Sequence, residues 1–171
     1  MGERIGQWAD GLGGHRVRSI VMTTRRCSDP DDVLDAVADV RRRARQMLDR
    51  RQREDSERWG GLRLWAVAIP AYARGEWTAT ITGVVDLARA PEVAVEDALS
   101  SVTATRIRAL ANPLLARDVR AHIVRAISTT ATIREAGPDG VAEWYSAVDR
   151  AGAGGWRAIT WARGCRAGAD R

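Results

Sequence analysis

The sequence predicts an α+β domain: a split βαβ, or ferredoxin-like, antiparallel sheet with helices on one face. Three observations predict it. A strand-like stretch at 15–24 runs into a capped helical pattern of about 25 residues. Two strand-like stretches, 62–70 and 77–88, then lie close enough for a hairpin. A second helical pattern opens at Pro91 and Glu92. The order β-α-β-β-α is that of the split βαβ unit. This arrangement hosts many functions, so the function has to be argued from the residues it carries.

Each element has its own justification. In "HRVRSIVMTT" (15–24), Val17, Ser19 and Val21 alternate with Arg18, Ile20 and Met22, the period of a strand. "SDPDD" then starts a helix. Asp29 caps it, Pro30 suits the first helical position, and Asp31 and Asp32 suit the positive end of the dipole. Val33, Val37, Val40, Ala44 and Leu48 keep helical spacing, and the arginine-rich far end suits the negative pole. Gly60–Gly61 breaks this helix. "LRLWAVAIP" (62–70) reads as a strand stopped by Pro70, "AYARGE" as a short loop, and "WTATITGVVDLA" (77–88) as the next strand. "EVAVEDALSSVTATRIRALA" reads as one helix that ends before Asn112–Pro113. A shorter amphipathic helix is expected at 114–127, with Val119, Ile123 and Ile127 inward, and a strand at 129–133. "EAGPDG" is a turn, "VAEWYSAVDRA" a helix, "GAGG" a break, and "WRAITWARG" a last short strand or turn. The organisation is a loop at 1–14, one domain at 15–168 and a tail at 169–171.

Composition narrows the function classes. The chain has 171 residues, 45% apolar and 29% charged, with no apolar run of membrane-spanning length. "MGERIGQWADG" lacks the apolar stretch of a signal peptide, so a cytoplasmic location is expected. All 27 basic residues are arginine, against 22 acids, for a net charge of +5. Arginine forks suit phosphate, and this balance favours polyanionic partners. The absence of lysine excludes a P-loop lysine and a Schiff base. Cys27, Cys165, His15 and His122 show no metal-ligand spacing, so no metal or cofactor is expected.

Two stretches carry a resemblance. One is "WGGLRLWAVAIP", a loop and "GEWTATITGVVDLA"; the other is "AEWYSAVDRAGAGGWRAITWARGCRAG" (142–168), of which "WRAITWARG" is the most specific piece. Together they resemble the nuclease domain of plasmid rolling-circle replication initiators, members of the HUH (His-hydrophobic-His) superfamily with a palm-like sheet. In that family, histidines at alternate positions of the strand after the hairpin bind Mg²⁺ or Mn²⁺. A tyrosine from a later helix attacks the DNA phosphate. This sequence has Thr78, Thr80 and Thr82 at the histidine positions. "AHIVRAI" has His122 where the tyrosine would stand and Arg125 in place of the lysine that follows it. Threonine is β-branched and keeps a strand, but its neutral hydroxyl is a poor divalent-metal ligand. The resemblance therefore implies a DNA-binding relative without nicking activity. Its partner would be single-stranded or hairpin DNA, with a homodimer or a larger replication complex as the wider assembly and no membrane. Arg18, Arg63, Arg120, Arg125, Arg157 and Arg163 would contact phosphate, and Trp65 or Trp77 would stack on a base.

Plainer readings stand beside these. The aromatic residues fit a core, and His122 near Asp118 and Arg125 fits a helix surface as well as a general base. The arginines at 41–53 fit a solvated helix face paired with Asp39, Asp49 and Glu54. Two alternative functions remain: a protein-interaction or dimerisation module on the same fold, and a nuclease using unusual groups such as Asp86 with Tyr145.

Overall fold

The computed structural model describes residues 17–109, 132–152 and, for the backbone, 160–163. It is an α+β structure with an antiparallel sheet. In chain order come β1 (Val17–Thr23), α1 (Pro30–Glu54), α2 (Ser56–Trp59), β2 (Arg63–Ala73), β3 (Glu76–Asp86), α3 (Glu92–Ser100) and β4 (Thr105–Ala109). A 3₁₀ turn (Arg134–Ala136), α4 (Gly137–Ala151) and β5 (Thr160–Arg163) follow. The strands lie in the order β4-β1-β3-β2-β5. β1 and β2 both run antiparallel to β3, which lies between them; β3 and β4 likewise flank β1. The helix expected at 114–127 lies outside the described residues.

α1 begins where its sequence says it should. The Asp29 side chain accepts from Asp32 N at 2.9 Å, and Pro30 occupies the first turn. Its far end differs from expectation. The helix stops at Asp55, before the glycines. Asp55 closes α1 through its backbone N–H, donated to Arg51 O, and opens α2 through its side chain, which accepts from Arg58 N. Gly60 then ends α2.

β2 runs through Pro70 to Ala73 instead of stopping there. Among the described residues β5 pairs with β2 from Leu64 to Val67, and Pro70 lies beyond that pairing. Its carbonyl accepts from the Thr132 hydroxyl and therefore faces away from β3. Within a strand the N and O of one residue face the same side, so the missing N–H of proline costs no ladder bond. The hairpin turn is Arg74–Gly75, with φ of 56° and 80°. Two positive φ values are what a two-residue type I′ turn requires.

The second helical pattern divides. α3 ends at Ser100, and Thr105–Ala109 is a strand on the outer edge of β1. Thr105 and Ile107 are buried while Arg106 and Arg108 are exposed, the alternation of a half-buried strand. Thr132 and Ile133, expected in a strand, are helical and lead into the 3₁₀ turn.

The core lies between the sheet and the helices. Ile20, Met22, Leu64, Ile81, Val85 and Ile107 face Val33, Val37, Leu48, Leu99 and Val148. Trp77 stacks on Trp144 of α4 at 6.0 Å between ring centres, and Tyr72 meets Trp77 edge-on at 5.0 Å. Arg150 of α4 forms an ion pair with Asp31 of α1.

Candidate nucleic-acid interface

β3 is the central strand, so its alternate residues address opposite faces. Trp77, Ala79, Ile81 and Val85 point to the helices. Thr78, Thr80 and Thr82 point to the other face. Thr78 and Thr80 are half-buried, whereas Thr82 is 4% exposed. The Thr78 hydroxyl donates to the Thr24 carbonyl at 3.3 Å. The Thr24 hydroxyl in turn accepts from Ala79 N at 2.9 Å.

Register brings two further side chains to this face. Arg106 lies beside Val21, which lies beside Thr82; Arg108 lies beside Ser19, which lies beside Val84. The Ser19 hydroxyl donates to the Arg108 carbonyl at 3.2 Å. Arg106 reaches Glu96 at 3.7 Å with its guanidinium largely exposed, and Arg108 is exposed. The sequence reading missed both arginines by placing them on a helix. The signal was there in Thr-Arg-Ile-Arg-Ala, which alternates with period two.

The threonine face is only partly open. On the β1–β4 side Val21 is 38% exposed, whereas Trp65, Val67, Ile69 and Val84 toward β2 are buried. The Trp65 indole N–H is buried with no acceptor. Neither expected stacking residue offers a ring face. Trp65 is 4% exposed, and Trp77 is 3% exposed on the helix-packed side, against Trp144. In this structure both rings are packed, Trp77 against Trp144.

Of the expected phosphate contacts, Arg18 and Arg63 have described side chains. Arg18 points to the helix-packed side, where its Nε donates to Glu92 at 2.7 Å. Arg63 is half-buried at the start of β2, opposite Asp86. The backbone of Arg163 pairs with Leu64. Arg120, His122, Arg125 and Arg157 lie outside the described residues. The arginines of α1 pair as anticipated: Arg42 and Arg43 with Asp39, Arg45 with Asp49, Arg50 and Arg51 with Glu54.

Asp86 and Tyr145 cannot act together in this fold. Asp86 sits at the end of β3 on the threonine face, and its carboxylate accepts from Ala88 N at 2.9 Å. Tyr145 follows Trp144, which packs on Trp77 at the other end of β3 and on the other face. Among the described residues no three of His, Cys, Asp and Glu gather closely enough to hold a metal ion. No helix among them is long and apolar enough to cross a membrane.

A cleft of about 430 Å³ lies away from the threonine face, between α1, Arg25 and the α3–β4 turn. Arg25, Arg43, Asp35 and Asp39 line it, over Val40 and Val102, and their charges cancel. The Arg42 guanidinium, with Arg43, holds the Asp39 carboxyl below its usual range. A scan against protein-family models, a search of the curated proteins and a search of the solved structures each found no match to this chain.

Proposed function

We propose that this chain is a DNA-binding protein on a split βαβ, ferredoxin-like fold, related to rolling-circle plasmid replication initiators and without nicking activity. The strand order β4-β1-β3-β2, with α1 and α3 as the two crossovers, supports the fold assignment. The observation that carries the function is the shared face: Arg106 and Arg108 of β4 lie on the same face as Thr78, Thr80 and Thr82 of β3, one strand away across Val21 and Ser19 of β1. Two guanidinium groups on the face that carries the half-buried Thr80 hydroxyl and Ser19 offer phosphate and sugar contacts without a metal or a base-specific reader. The net charge of +5 supplies long-range attraction.

The test is titration of fluorescent single-stranded, hairpin and duplex DNA at two salt concentrations. Salt-sensitive binding is expected, with a preference for one form. The R106A/R108A variant should bind more weakly, with its salt slope lower by about 1.4 for a single strand. Equal binding by wild type and variant would remove the shared face from the argument. At the β4 edge Glu96 accepts from Ile107 N at 2.7 Å, which occupies one site for edge-to-edge strand pairing.

A further inference from the structure

The break in α1 has an electrostatic result. Along a continuous helix, Arg53 would meet Glu57 and Arg58 would meet Glu54, each at i,i+4 spacing. Asp55 ends one helix and starts the next, so neither pair forms. Glu54 instead serves Arg50 and Arg51. Arg53 and Arg58 are left exposed and make no ion pair with any described residue. The glycine turn after α2 then brings the β3–α3 turn alongside: a Cβ built on Gly61 would lie 3.4 Å from the Ala88 Cβ. The next residue, Arg89, is also exposed and makes no ion pair with any described residue. The carboxylates at this end are largely committed. Asp55 caps α2, Asp86 is buried on Ala88 N, and Glu92 holds Arg18; Glu57 is exposed.

We infer that Arg53, Arg58 and Arg89 form a second nucleic-acid contact, at the end of the domain where α1 finishes, apart from the threonine face. It takes backbone phosphates and reads no base. The inference rests on the DNA-binding reading for the identity of the polyanion. Three unpaired guanidinium groups on adjoining turns suit successive phosphates of one strand, because each gains a partner without breaking an existing ion pair. The opposite end of α1 carries Asp29, Asp31, Asp32 and Asp35, so the helix is polar in charge along its length and a polyanion is drawn to one end.

The test compares R53A/R58A/R89A with R25A/R26A/R134A, which removes the same charge elsewhere. Binding of a labelled single-stranded oligonucleotide is followed by anisotropy across a salt series, with circular dichroism and thermal melts as folding checks. The first variant should lose at least about tenfold in affinity at low salt, with its log–log salt slope lower by about two. The second should change less than about threefold, as expected for charges outside the contact. Equal losses in both variants would reduce the effect to net charge and overturn the surface. DNA binding by wild type with no loss in the first variant would overturn the surface and leave the proposed function intact. No DNA binding by wild type would overturn both. Vesicles of equal phosphatidylserine and phosphatidylcholine, added as competitor, should leave DNA bound; displacement by them would overturn nucleic acid as the partner.

Discussion

Thr78 donates its hydroxyl to the Thr24 carbonyl, while the Thr24 hydroxyl receives the Ala79 N–H. The first threonine of the strip thus fastens the segment after β1 to the central strand. Thr24→Val leaves a buried N–H unpaired and should cost about 1–3 kcal/mol. Thr78→Val removes a half-buried donor and should cost less, about 0.5–1.5 kcal/mol. Urea unfolding monitored by tryptophan fluorescence checks the ranking; equal losses would show that the buried Ala79 N–H does not set the larger cost.

Gly83 has no room for a side chain. A Cβ there would stand 2.0 Å from the Trp65 carbonyl oxygen, a backbone atom that cannot swing aside. Gly83→Ala should destabilise by at least about 2 kcal/mol through displacement of β2. An unchanged urea midpoint would contradict this close approach of the two strands.

Spacing along β3 predicts what imidazoles would do there. The T78H/T80H variant places two on one face and should bind Zn²⁺ or Ni²⁺ in calorimetric titration. T78H/A79H places them on opposite faces and should not. Equal binding by both would mean that the strand does not present alternate residues as described.

Burial pushes the Cys27 thiol above its ordinary value of 9.0, outweighing the nearby Arg25. The unfolded chain therefore ionises this thiol at lower pH than the native one. Its contribution to stability is complete below the unfolded pKa and is lost as pH rises through the folded one. In a Cys165→Ser background, Cys27 should react with iodoacetamide at neutral pH more slowly than a free thiol, and faster in urea. Rapid labelling of the native protein would refute the burial.

Much of this fold was legible because local chemistry and tertiary packing agreed. The run Asp29-Pro30-Asp31-Asp32 and the valine spacing behind it fixed the start of α1. The closeness of the strand-like stretches 62–70 and 77–88 marked the hairpin, although the two-residue turn inside "AYARGE" was not legible. Other features depended on neighbours. Pro70 is tolerated because its backbone faces away from β3, and a strand's partner is invisible in its own residues. β4 offers just two buried positions, Thr105 and Ile107, so its alternation was lost in the helical pattern before it. Of the candidate site, the common face of Thr78, Thr80 and Thr82 was legible from period two. The arginines that join them were not, because only register brings β4 beside β1. The burial of Trp65 and Trp77 was equally hidden, since an aromatic residue on a strand looks the same on a covered face and an open one.

The two-residue turn at Arg74–Gly75 also sets an order of events. All pairings between β2 and β3 close within the chain from Arg63 to Asp86. β1 must reach β3 across the whole of α1, and β4 can dock only on a β1 already in place. Loop closure makes the near pairing faster and the far ones dependent on it. The hairpin is therefore the template of assembly, and β4 is added after β1. Strain placed at Gly75 should slow folding, whereas loosening Ile107 should chiefly hasten unfolding.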